Sequence, residues 1–217
     1  MQGNVMDNSA EIYAKQGLGQ RIGFGSRPAL LIIDMQNDFC DADAPSTLFP
    51  LIQSIIDPIR QLAAEARARN VPVIYSQGLV AADGSSASLW RLKMKNHSLG
   101  RVQIEGSRGA AIIDELAPMA GDRVIRKWRP SAFFRTDLDV FLTVAGIDTL
   151  LLTGTSISGC VRATATDAFM RDIRCMIVRQ GVADRTQSVL EANLFDLDQK
   201  YADIVELDEC LTYMSGV

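Results

Sequence analysis

DTLLLTGTSISGCVRATATDAFM, residues 148–170, is the stretch that decides the fold class. Its opening, DTLLLTG, is a nearly continuous apolar run, the pattern of a strand buried on both faces of a parallel sheet. A turn of small residues, TSISG, follows, and a helical pattern then runs from about Cys160 to Arg171. A buried strand passing through a tight turn into a helix is the building unit of an α/β fold.

Outward from that stretch the unit recurs, with neither internal repeat nor low-complexity segment. Towards the N-terminus, PALLIID (28–34) is a second continuous apolar run, ending on Asp34. From about Leu51 to Arg69, Ile52, Ile55, Ile56, Ile59, Leu62, Ala63 and Ala66 recur at close to 3.6 residues and predict a helix, stopped by Asn70. VPVIYS (71–76) predicts a strand, and the polar, Gly- and Ser-rich segment 77–108 a long loop or lid. A short helix is expected at 110–117, a strand at 123–126, and a helix at 137–145 closed by Gly146. Beyond the central stretch, CMIVRQ (175–180) and IVEL (204–207) read as strands flanking a helix over 186–201. Six strands with intervening helices predict a three-layer α/β/α architecture around a doubly wound, mostly parallel six-stranded sheet. Residues 1–20 read as an N-terminal extension and 21–217 as one domain.

Composition removes several classes of function. The chain has 217 residues, 47% hydrophobic and 22% charged, enough for one sizeable core. A net charge of −4 gives no electrostatic basis for binding nucleic acid or an anionic membrane. No apolar run approaches the roughly 20 residues that span a bilayer, and the polar start lacks a signal-peptide core, so a cytoplasmic protein is expected. Cys40, Cys160, Cys175 and Cys210 are too scattered for a disulfide framework or zinc site and read as free thiols. The single histidine, His97, lies in the polar stretch KMKNHSLGR and reads as a surface or loop residue. Histidine-dependent triads and multi-histidine metal sites are therefore disfavoured, and a nucleophile would need another activator.

In an open doubly wound sheet, ligands bind beyond the carboxyl ends of the strands, near the switch point. Asp34, Lys127 and Cys160 each fall at or just after such an end. Cys160 is delivered by the small-residue turn to a helix start, where unpaired N–H groups and the helix dipole lower a thiol pKa and can hold an oxyanion. The competing reading is a small buried hydrophobe, the usual fate of a free cysteine. Cys175 and Cys210 fit that second reading, and Cys40 sits among acidic neighbours that oppose thiolate formation. Asp34 ends an apolar run where a carboxylate must be paired or functional. Lys127 lies in RKWR, which also reads as a solvated charge run.

Four blocks, LLIIDMQNDF, KWRPSAFF with TDL following, DTLLLTGTSISGCVRATATDA, and DRTQSVLEANLFDLDQKYADIV, resemble in order the isochorismatase-like cysteine hydrolases. The last block resembles the N-carbamoylsarcosine and maleamate amidohydrolase branch. The similarity runs from about Arg21 to the C-terminus, weakest over 77–108. It implies an isochorismatase-like hydrolase domain with a triad of Asp34, Lys127 and Cys160 and a cis peptide at Thr155–Ser156. The N–H groups of Ser156 and Cys160 would form the oxyanion hole. The implied reaction is hydrolysis of a small linear amide or ureido compound through a thioester, releasing ammonia. Asp34 would move the protons and Lys127 stabilise the charges; no cofactor is required, and a homo-oligomer is expected.

For the substrate, the resemblance implies that Arg185 binds a carboxylate, as a guanidinium fork does well. Ile157 stands where that branch usually carries a threonine hydroxyl, which argues for a less polar substrate. Phe39, Trp128, Phe133 and Phe134 are candidate pocket walls, the alternative being simple core. QGLVAADGSS, after the second strand, contains no histidine, so no catalytic metal is expected. Competing readings are an isochorismatase proper, which cleaves a vinyl ether and against which Cys160 argues, and an idle binding module on the same fold. A flavodoxin-like nucleotide binder is set aside, since GTSISG lacks a phosphate-cradling glycine pattern.

Overall fold

The computed structural model describes residues 9–44, 46–86, 89–93 and 102–217. Six strands form one sheet: β1 (Pro28–Ile33), β2 (Val73–Gly78), β3 (Arg123–Lys127), β4 (Thr149–Thr155), β5 (Arg174–Ala183) and β6 (Asp203–Val205). Their order is β3-β2-β1-β4-β5-β6 and every pairing is parallel. The sheet is thus wholly parallel, and its winding reverses between β1 and β4, which opens a crevice beyond their carboxyl ends.

The central strands are apolar throughout because both faces are covered. Alternate residues divide between two cores: Leu30, Ile32, Val73, Tyr75 and Leu151 pack on one face, and Ala29, Leu31, Ile33, Leu150 and Leu152 on the other. The first core is roofed by α3 (Gln53–Ala68), which presents Ile55, Ile56, Ile59, Leu62, Ala63 and Ala66, and by α8 (Leu207–Ser215) through Cys210 and Met214. The second is roofed by α5 (Leu138–Ala145), α6 (Arg162–Phe169) and α7 (Gln187–Lys200), through residues such as Leu142, Ala165 and Leu194. The result is the expected three-layer α/β/α architecture. In the N-terminal segment, α1 (Ser9–Lys15) lies against α7, with Tyr13 edge-on to Phe195.

Several local expectations change. The helix expected at 110–117 is only a 3₁₀ turn, Asp114–Leu116. Its upstream backbone is taken by residues 35–37: Asn37 N–H donates to Ala111, Ile113 N–H donates to Met35, and Gln36 bridges Ile112 antiparallel. Cys160 lies inside a π-helical turn, Ile157–Val161, closed by Val161 N–H to Ser156 O, and α6 begins only at Arg162. The expected strand end at Leu207 is instead the start of α8. Two short helices, α2 (Asn37–Cys40) and α4 (Trp90–Lys93), fall where none was expected. Gly146 caps α5 in the left-handed conformation, as its position predicts. His97 lies outside the described residues, as do parts of the 77–108 segment.

Candidate active site

Three strand ends converge at the crevice. Asp34 follows β1 directly and adopts φ 50°, left-handed backbone that an aspartate tolerates better than a bulkier residue. Lys127 closes β3, whose alternation places Ile125 and Lys127 on the inward face while Val124 and Arg126 face out. Its ammonium crosses to Asp34 Oδ2 at 2.7 Å and lies 3.4 Å from Cys160 Sγ, also donating to the Arg129 carbonyl at 3.2 Å. Ser76, from β2, donates to Asp34 Oδ1 at 2.7 Å.

The turn that carries Cys160 depends on Gly154. At φ +102° it occupies backbone that L side chains rarely adopt, and a Cβ there would stand 2.0 Å from the Ile33 carbonyl oxygen. β4 can therefore press against the end of β1, bringing the Cys160 turn to Asp34. The Thr155–Ser156 peptide is cis. Asp184, buried just beyond β5, receives Ser158 N–H at 2.8 Å and ties the turn to the sheet from the other side.

Burial would push the Lys127 ammonium down, but Asp34 and Cys160 together hold its pKa above the ordinary lysine value. The pair is a buried ion pair, Asp34 fully enclosed and Lys127 2% exposed. Although Asp34 Oδ2 is close to the ammonium, no well-angled hydrogen bond reaches it, so it retains a free lone pair. The Cys160 thiol moves opposite to the sequence expectation. Burial pushes it up to about 12, Lys127 opposes this, and Asp34 adds to it. The helix-start effect does not dominate, because burial of the sulfur and the neighbouring Asp34 carboxylate both favour the neutral thiol. The resting site is a neutral thiol beside a lysine–aspartate ion pair.

Asp34, Lys127 and Cys160 lie at the base of a cavity of about 1300 Å³, which Ser156 and Arg185 also line. Among the described residues the Arg185 guanidinium has no ion-pair partner; its backbone N–H donates to Asp184 Oδ1 at 2.8 Å. Of the aromatic candidates, Phe39 and Trp128 line the cavity. The structure separates Phe133, Phe134 and Ile157 from them. Phe133 and Ile157 are buried in the core under α5 and α6, at 4% and 0% exposure. Phe134 borders a neighbouring hollow with Ser86 and Arg135. The reason for Ile157 is the π-turn, which rotates its side chain inward beside Val161. Among the described residues no cluster of three or more metal-ligating side chains is present.

Sequence reading missed Ser76, Asp184 and Gln36. Each is a polar residue at or just past the end of an apolar strand, the same signal that marked Asp34.

A sequence profile of the isochorismatase domain matches residues 28–209. The chain belongs to the isochorismatase family. Within it, the chain is 36% identical to an N-carbamoylsarcosine amidase from Arthrobacter sp, over 98% of this chain and 81% of that one. It is 38% identical to the maleamate amidohydrolase of Pseudomonas putida, over 89% of each. An isochorismatase family protein from Desulfovibrio vulgaris superposes with a TM-score of 0.81 at 34% identity, covering 88% of this chain and all of that one. The isochorismatase match starts at the first residue of β1 and so leaves α1 outside it.

Proposed function

We propose that this isochorismatase-family protein is a cysteine amidohydrolase that cleaves the C–N bond of a small linear amide or ureido acid. The observation that carries the reading is the Asp34–Lys127–Cys160 cluster, with spacings of 2.7 and 3.4 Å, at the base of a cavity. Its likeness to two amidohydrolases supports the same class.

In this mechanism Cys160 Sγ attacks the substrate carbonyl while its proton passes to the free lone pair of Asp34 Oδ2. Because the thiol is held near 12 at rest, deprotonation is coupled to attack rather than preceding it. Lys127 stays cationic and offsets the charge on sulfur and on the carbonyl oxygen, to which the N–H groups of Ser156 and Cys160 donate. Collapse of the tetrahedral adduct breaks the C–N bond, and the proton on Asp34 goes to the departing nitrogen, releasing ammonia and leaving a thioester. Water then attacks the thioester, its proton passing through Asp34 to the sulfur, which frees the acid. No step requires a cofactor. The Arg185 guanidinium, which lines the cavity, binds a substrate carboxylate, and Phe39 and Trp128 wall the remainder. Ile157 is core, so the missing threonine hydroxyl does not put an apolar side chain into the cavity.

The test is ammonia release from a panel including N-carbamoylsarcosine, maleamate, nicotinamide and apolar amides. Turnover of a carboxylate-bearing amide is expected, falling by roughly three orders of magnitude or more in Cys160→Ala. Turnover that survives in Cys160→Ala would end the cysteine mechanism, and activity on apolar amides alone would end the role of Arg185. From family resemblance the enzyme is expected to be a homo-oligomer; sedimentation at the 23.7 kDa of one chain would refute the assembly.

A further inference from the structure

Gln103 lies within the 77–108 segment that reads as a loop, yet it is held from two directions. Its backbone, at φ 56°, donates its N–H to the buried Asp38 carboxylate at 2.5 Å, and its carbonyl accepts from Val80 N–H at 2.8 Å. Its side-chain amide lies over Gly78, where a Cβ would meet Gln103 Nε2 at 2.5 Å. Gly78 is the register partner of Lys127 across β2 and β3, and both line the cavity with Gln103.

The direction of the Gln103 amide follows from donor and acceptor chemistry. Gln36 is fully buried and receives Gly78 N–H at 2.9 Å, so Oε1 must face that donor. Its other arm reaches the carbonyls of Gly78 at 2.9 Å and Ala110 at 2.7 Å, which only accept, so that arm is Nε2. Gln36 therefore offers Gln103 an oxygen, and Gln103 answers with Nε2 at 3.0 Å. Gln103 Oε1 is the end left over. Among the described residues it has no hydrogen-bond partner, and Gln103 lines the cavity.

We propose that Gln103 is a specificity-determining residue whose Oε1 accepts an N–H of the substrate's amide or ureido group. The inference rests on the amidohydrolase reading and deepens it. A fixed acceptor favours a group carrying N–H over an ester or carboxylate of equal size, because only the former can pair with it. The backbone clamp to Asp38 and the side-chain clamp to Gln36 mean that little ordering remains to be done when substrate arrives.

The experiment compares maleamate with monomethyl maleate, or the fastest-cleaved amide of the panel with its methyl ester, in wild type, Gln103→Met and Gln103→Glu. Gln103→Met is expected to lower kcat/KM for the amide about tenfold and leave the ester within about twofold. Gln103→Glu keeps an oxygen towards the cavity while losing the donor to Gln36, and is expected to retain most of the amide preference. Amide and ester falling together in both variants would assign Gln103 a merely structural role and overturn the proposal. If wild type cleaves neither compound, the amidohydrolase reading fails by itself, and calorimetry on the Cys160→Ala protein decides about Gln103. Tighter binding of maleamate than of its ester, lost on adding Gln103→Met, supports it; equal binding, or none, overturns it.

Discussion

Removing one member of a buried ion pair leaves the other charged in a medium that cannot solvate it. Lys127→Met should therefore destabilise the fold by about 3–5 kcal/mol, because Asp34 is fully enclosed. The double variant Lys127→Met/Asp34→Asn should recover most of that loss in urea unfolding. A single variant within about 1 kcal/mol of wild type would mean that Asp34 is not held as a charge. The Cys160 thiol makes a second residue-scale prediction. Since it is pushed up to about 12, the free enzyme should show no thiolate absorbance from Cys160 between pH 6 and about pH 10, by difference against Cys160→Ala. A titration step near neutrality would show that sulfur is activated before substrate arrives.

At the scale of elements, the Gly154 crossing joins β1 to β4 and brings the Cys160 turn to Asp34. Gly154→Ala combines unfavourable backbone with a Cβ 2.0 Å from the Ile33 carbonyl, so β4 must move away from β1. Loss of more than about 4 kcal/mol, or no folded protein at all, is expected in denaturant unfolding. A well-folded variant would show that the two strand ends need not touch. By contrast Thr186, whose hydroxyl accepts Val189 N–H at 3.3 Å at the exposed start of α7, is an ordinary cap. Thr186→Ala should cost about 1 kcal/mol by the same measurement and leave activity unchanged. A similar logic explains which elements were readable. The α3 helix was plain because its apolar period is local, whereas 110–117 looked helical but gives its backbone to residues 35–37, partners more than seventy positions away.

The whole molecule responds to pH through its thiols. Cys40, Cys160, Cys175 and Cys210 are all pushed up to about 12 from an ordinary value of 9.0, in each case chiefly by burial. In the unfolded chain they ionise near pH 9 while the folded chain keeps its protons, so stability is fully present below pH 9 and declines as pH rises towards 12. Each thiol contributes a slope of about 1.4 kcal/mol per pH unit in that window. Melting temperature should hold below pH 9 and fall steeply above it; a flat profile to pH 11 would show the thiols to be solvated in the native state. The sequence by itself determined the α/β class, the six strands and the positions of Asp34, Lys127 and Cys160, because apolar runs and strand ends are local patterns. Only the tertiary structure decided that the thiol rests protonated, that Ile157 and Phe133 belong to the core, and that Gln103 faces the cavity. Those properties depend on burial and on hydrogen-bond partners brought together from separate strands, which no local pattern encodes.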